Sequence, residues 1–279
     1  MLGDSAIALE WLDITLAEVK YQPDMRTYSI VRESLKTALS SCIALDEKKY
    51  INTGTAPRLT SMMSLHPLIK SDHKPRNILL SDIETSRITA KVGDLGLGEQ
   101  ALIIPVCVRG RHAFTKTPTV FPVGDRIKVQ PYAMRAPEVF LGQACTGPSQ
   151  VWAIAAMLLC WIKPGVLGAG DSPHFLINEA WSMAKIKRLF PEWNVRAPDE
   201  GANHSLQVAV KSANRMSREE PVMQAILPFK EETQKIEVAQ PLRDLLHLML
   251  VVNLEDRPSG SSTLASAEFL AFEKFVDAQ

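Results

Sequence analysis

The sequence predicts an α+β fold that is mainly helical, and three observations lead there. Short apolar runs bounded by turn residues sit in the front third of the chain. Long segments with apolar residues at helical spacing fill the rest. The 279 residues, 46% of them hydrophobic, suffice for one large domain or two small ones.

Taken in order, "AIALEWLD" (residues 6–13) reads as a short apolar strand ending in an acidic, aromatic step. "YSIVRESLKTALSSCIALDEKKY" (28–50) places Ile30, Val31, Leu35, Ala38, Leu39, Cys42 and Leu45 at helical spacing. Thr27 or Ser29 is its expected cap, and Lys48 and Lys49 suit the negative end of the helix dipole. "NILL" and "RITAKVGD" read as two short strands joined by the turn "SDIETS". "APEVFLG" reads as a short helix with proline near its start. "PSQVWAIAAMLLCWI" follows, capped by Ser149; its apolar residues 151–162 are too few to cross a bilayer, so it reads as a helix buried on all sides. "PHFLINEAWSMAKIKRLF" (173–190) is amphipathic, and "AQPLRDLLHLMLVVN" (239–253) is strongly apolar on one face. "SSTLASAEFLAFEKFV" closes the chain. Residues 191–238 read as a polar stretch, and residues 54–71 and 99–127 as insertions or loops, being long and weakly periodic.

Lys+Arg and Asp+Glu both total 31, so no global field draws in nucleic acid or an anionic membrane, and neither is expected as a partner. Cys42, Cys107, Cys145 and Cys160 form no C-x-x-C pair and read as reduced thiols of an intracellular protein, cytoplasmic or nuclear. The start, "MLGDSAIALEWLD", lacks the basic flank and long apolar run of a signal peptide.

The chemistry is concentrated in "SDHKPRNILL" (71–80). Moving a phosphoryl group to a hydroxyl requires positioning and charge neutralisation more than covalent chemistry. A carboxylate must orient the hydroxyl and accept its proton, a lysine nearby neutralises charge, and an asparagine with a second aspartate holds metal ions. Asp72, Lys74 and Asn77 stand on one loop at the spacing D-x-x-x-x-N. The next apolar strand delivers "GDLG", with Asp94 at the metal-binding position and Gly96 to free the backbone; "YAMRAPEVFLG" then contains Ala136, Pro137 and Glu138. Each piece alone is ordinary, whereas the set in this order on these elements is a specific signal.

On these residues the chain resembles the eukaryotic protein kinases, specifically their C-terminal large lobe. "MRAPEVFLG" and the long segment between the later helices are similar to the SR-protein-kinase-like (CMGC-type) serine/threonine kinases of fungi. The resemblance spans nearly the whole chain. It implies a single protein-kinase-like domain over residues 1–279, with residues 1–13 as a remnant of the last small-lobe strand and hinge and 14–279 as the large lobe. It further implies ATP and Mg2+ as cofactors and serine or threonine of a protein as substrate. Asp72 would be the base and Lys74 the charge stabiliser, with Asn77 and Asp94 the magnesium ligands. Leu9 falls at the gatekeeper position, the backbone of Glu10 and Leu12 would bind adenine, and Leu79 would pack beneath the ring. "VNLEDRPS" resembles the closing kinase motif, where Arg257 would pair with Glu138 in a buried, structural ion pair.

The departures from the pattern bear on competence. No glycine-rich loop, V-A-I-K lysine or helix glutamate precedes "LEWLD". Read without residues 54–71 the chain runs "KKYINTDHKPRNILL", with Asn52 at the position of the usual loop histidine; read as it stands, Lys70 falls there. Residues 54–71 read as a translated intron, since codons of Gly54 and Ser71 can carry the splice signals and Leu59-Thr60 the branch sequence; a surface insertion is the alternative. Gln150 replaces the aspartate that opens the buried helix in kinases, and residues 99–127 lengthen the activation segment, where Thr115, Thr117 and Thr119 are candidate phosphorylation sites. The functional readings are therefore a fragment of an active kinase, a pseudokinase scaffold without catalysis, and a decayed product that never folds stably.

Other constellations carry less. His66, His73, His112, His174, His204 and His247 are scattered without H-E-x-x-H, and no G-x-S-x-G occurs. Trp181 and Trp193 around "AKIKRLFPEW" read as core packing, and "RGRH" (109–112) as a solvated basic cluster.

Overall fold

The computed structural model describes residues 12–47, 73–85, 87–93, 130–143, 145–195 and 204–278, together with the backbone but not the side chains of 45–47. Leu9, Glu10, Asn52, His66, Lys70, Asp72, Asp94, Gly96 and the insertions 54–71 and 99–127, with Cys107, His112 and the three loop threonines, lie outside the described residues. Within them the protein is α+β and mainly helical, with a three-stranded antiparallel sheet in the order β1-β2-β3.

The strands are β1 (Ile14–Thr15), β2 (Ile78–Ser81) and β3 (Thr89–Val92). The first directly follows the segment expected as a strand, 6–13, of which residues 6–11 lie outside the described residues. Ile14 stands opposite Leu80, and Ile78 and Leu80 stand opposite Val92 and Ala90, so one face of the sheet is apolar and turned to the core. Helix α1 (Met25–Glu47) covers that face with Ile30, Val31, Leu35, Ala38, Leu39 and Cys42, at the spacing the sequence predicts. Its cap is Asp24, whose carboxylate accepts the Thr27 N–H at 2.7 Å, in place of the expected Thr27 or Ser29. Thr37 on α1 donates its hydroxyl to the Ala90 carbonyl, satisfying an acceptor on the edge strand.

The helical body is organised around α3 (Gly147–Ile162). Residues Val151 to Leu159 are each 1% exposed or less, so every face of this helix meets protein. That is why its sequence lacks a polar stripe. Fully burying each of its larger side chains contributes about 2 kcal/mol. Thr146 is the cap, and Ser149 closes a capping box with it instead of capping alone. Trp152 packs on Phe190, Phe190 on Phe229 and Phe229 on His247, a chain of ring contacts at 5.4, 5.0 and 4.9 Å between centroids. It ties α3 to α4 (Asn178–Leu189), α7 (Phe229–Gln234) and α8 (Gln240–Met249).

The remaining helices are α2 (Pro137–Phe140), α5 (His204–Glu219), α6 (Pro221–Gln224), α9 (Gly260–Leu264) and α10 (Ala267–Asp277). The segment read as polar, 191–238, thus contains three helices. Helix α5 buries Leu206, Ala209, Val210, Ala213 and Met216 against α4 at helical spacing, a pattern that its charged outer face masks. The final helical run is split at Ser266, which caps α10 by accepting the Phe269 N–H. Trp181 and Trp193 are both buried in the core.

Candidate functional site

The local structure around the expected catalytic loop is built on the turn that enters β2. Lys74 precedes a single 3-10 turn, Pro75–Asn77, whose proline occupies the first position, where a missing N–H costs nothing. The Asn77 N–H closes this turn on the Lys74 carbonyl at 2.9 Å. Asn77 is buried, and its carbonyl accepts the Gly93 N–H at 2.7 Å, extending the β2–β3 ladder by one bond. His73 is also buried, with Nε2 3.5 Å from the Cys42 thiol of α1, so the loop is anchored to the longest helix.

Lys74 and Asn77 therefore share one turn, and Asn77 lies against the residue before Asp94. Asp72 and Asp94 themselves lie outside the described residues, as do Leu9 and Glu10. Among the described residues no group of three or more His, Cys, Asp or Glu side chains is placed to hold a metal.

Leu79 stands on the face of the sheet away from the core, opposite Thr15 on one side and Lys91 on the other. It is half-buried and does not belong to the core cluster. A Cβ on Gly93 would fall 2.8 Å from Leu79 Cδ1, so the absence of a side chain at 93 leaves the space that the Leu79 side chain fills. The result is an apolar step on an otherwise polar face. Leu12 is half-buried just ahead of β1.

Glu138 and Arg257 are brought together. Arg257 Nη1 and Nη2 donate to the two carboxylate oxygens of Glu138 at 2.8 and 3.0 Å, both side chains being buried. Arg257 Nε donates to the Val251 carbonyl and Nη2 also to that of Val252, while Ser149 donates to Glu138 at 2.5 Å. The guanidinium lies 5.1 Å from the Trp152 ring centroid. With these bonds the pair is compensated for leaving water.

Beside it, burial, and secondarily the Glu138 charge, pushes the Cys145 thiol up to about 12, and Gln150 donates to its sulfur at 3.0 Å. Burial also pushes Cys160 up to about 11. Both are therefore protonated thiols at neutral pH, poor nucleophiles.

Two positioning groups escaped the sequence reading. Gln130 is buried, accepts the Ala136 N–H through Oε1, donates to the Ser149 carbonyl, and offers its own carbonyl to Arg135. It thereby pins the start of α2 to the start of α3, but a single glutamine in the sequence carries no signal of that. Lys185, 1% exposed, donates to Asp171 and to the Gly165 carbonyl, both at 2.6 Å, and holds the loop after α3. Its place on the buried face of α4 is legible from the spacing, whereas its partner is not.

No helix among the described residues is long and apolar enough to cross a membrane. No family model matches the chain, and no curated protein matches it.

Proposed function

We propose that the chain is a protein-kinase-like large lobe that binds ATP with magnesium and directs phosphoryl transfer to serine or threonine hydroxyls of a protein. The observation that carries this reading is the bond from the Gly93 N–H to the Asn77 carbonyl. It sets the backbone that leads into Asp94 beside Asn77, as two ligands of shared metal ions require.

In this reading Asn77 and Asp94 hold magnesium, which when bound neutralises the phosphate oxygens. Asp72 orients the acceptor hydroxyl and takes its proton, and Lys74, two residues on, balances the charge that develops on the transferred group. The apolar Leu79 side chain beside Gly93 suits an adenine ring, with the backbone of Glu10 and Leu12 as its edge contacts and Leu9 behind it. Glu138 and Arg257 hold the frame and touch no reactant.

A second reading, an interaction scaffold without catalysis, is favoured by Gln150. Its uncharged amide donates to the Cys145 thiol, where the kinase pattern has a carboxylate.

Thermal-shift and fluorescence titrations of the purified chain with Mg-ATP and with adenosine test the proposal. Both ligands raise the melting temperature, and Asp94→Asn removes the magnesium-dependent part only. Asp72→Asn keeps binding and loses transfer to a serine peptide. A folded sample that responds to neither ligand ends the nucleotide reading; a response without transfer by the unmutated chain leaves the scaffold.

A further inference from the structure

A cleft of about 350 Å3 opens between the first half of α1 and the β2–β3 turn, away from the proposed nucleotide face. Three arginines line it, Arg26, Arg32 and Arg87, against two glutamates, in a chain whose overall charge is zero. Ile83 and Ile88, half-buried against the core, supply an apolar floor.

The guanidiniums are held in place but not consumed. Arg26 Nε donates to the Ile83 carbonyl at 3.0 Å and its Nη2 meets the carboxylate of Glu84. Arg32 Nε donates to Glu33 at 2.8 Å and its Nη1 meets Asp277. Nη1 of Arg26 and Nη2 of Arg32 make no bond among the described residues, nor does the exposed guanidinium of Arg87. Glu84, the acid paired with Arg26, is 76% exposed, and Asp277 beyond the cleft is 70% exposed, whereas Glu33 beside Arg32 is 26% exposed. The Arg26–Glu84 pair, wet on both sides, contributes little and exchanges readily.

We infer that this cleft docks a phosphorylated serine or threonine side chain carried on a peptide. The proposal stands apart from the nucleotide reading. A phosphate monoester brings a charge of about −1.5 to −2 and three acceptor oxygens, enough to serve all three guanidiniums at once. A carboxylate such as Glu84 brings one charge and two oxygens, so the phosphate displaces it. The isoleucine floor and the volume exceed what an inorganic anion uses and fit the apolar neighbours of a phosphorylated residue in an extended segment.

The test is fluorescence anisotropy on the full chain with a labelled peptide carrying one phosphoserine between isoleucines, at fixed ionic strength. The phosphopeptide binds and its unphosphorylated form does not. Arg87→Gln, an exposed turn position, weakens binding at least tenfold. Glu84→Gln tightens it about threefold by removing the competing carboxylate from Arg26, a gain that no folding defect imitates. Equal binding of both peptides overturns the inference, as does an Arg87→Gln variant that binds as tightly as the unmutated chain. Inorganic phosphate displacing the label as effectively as unlabelled phosphopeptide overturns the peptide assignment.

Discussion

Arg257 meets Glu138 across 119 positions of sequence in two parallel N–H···O bonds. The pair joins the first turn of α2 to the segment after α8, beneath the ring of Trp152. Nothing local brings the two together; the packing of α3 between them does.

Removing one partner strands the other in a buried site, so Arg257→Met costs about 3–5 kcal/mol. Urea denaturation measures it. Glu138→Leu combined with Arg257→Met costs less than Arg257→Met alone, because no uncompensated charge remains. A double variant weaker than the single would remove the ion-pair account.

Gly165 and Gly168 separate backbone cost from crowding. Both have positive φ, +85° and +80°, but a Cβ at 165 meets nothing within 4 Å while one at 168 falls 2.7 Å from Ala133 Cβ and 2.9 Å from its Cα. Gly165→Ala loses about 1–2 kcal/mol from left-handed backbone alone. Gly168→Ala loses about 1–3 kcal/mol more by overpacking against backbone that cannot yield. Equal losses in chemical denaturation would contradict this.

The Lys185–Asp171 pair is asymmetric, with side chains 1% and 45% exposed. Asp171→Ala leaves a buried ammonium with only the Gly165 carbonyl and costs about 3–5 kcal/mol. Lys185→Met leaves a carboxylate that water can reach and costs less, about 1–2 kcal/mol. Burial alone would raise the Asp171 carboxyl, but the hydrogen bonds from Lys185 and Trp181 and the Lys185 charge outweigh it and hold it low. That part of the stability is therefore present above the ordinary carboxyl range and lost as pH falls through the lowered value. Comparable melting temperatures for the two variants at pH 7 would refute the asymmetry.

His247 titrates in the opposite chemical sense but with the same slope. Burial against Phe229 and the charges of Lys230 and Arg243 lower its pKa, and Asp244 opposes them only in part. The folded chain then binds fewer protons than the unfolded one between the lowered value and 6.5. Its contribution is complete above pH 6.5 and declines as pH falls toward the folded pKa. The melting temperature accordingly drops on acidification from pH 7, and His247→Gln flattens the drop. An unaltered slope in that variant would assign the effect elsewhere.

Helix α3 was legible because a run of apolar residues without a polar stripe has no place except the interior. Helix α1 was legible from Ile30, Val31, Leu35 and Leu39 at a spacing only a helix brings to one side. Helix α5 is not legible although Leu206, Val210 and Ala213 carry the same spacing, because its outer face is so polar that average composition hides the stripe. Within the candidate site, the order of Asp72, Lys74, Asn77 and Asp94 is a sequence fact, while the meeting of Asn77 and Gly93 is a ladder bond that needed β2 and β3 in register.

Local patterning, then, determined by itself helices α1 and α3, strands β2 and β3, and which side of each is dry, because periodicity acts within a few residues. Only the folded chain decided the partners of buried and half-buried polar groups: Gln130 with the starts of α2 and α3, Lys185 with Asp171, and Thr37 with Ala90. A polar group leaving water must find whichever complementary atom the packing brings near, and that atom can come from anywhere along the chain.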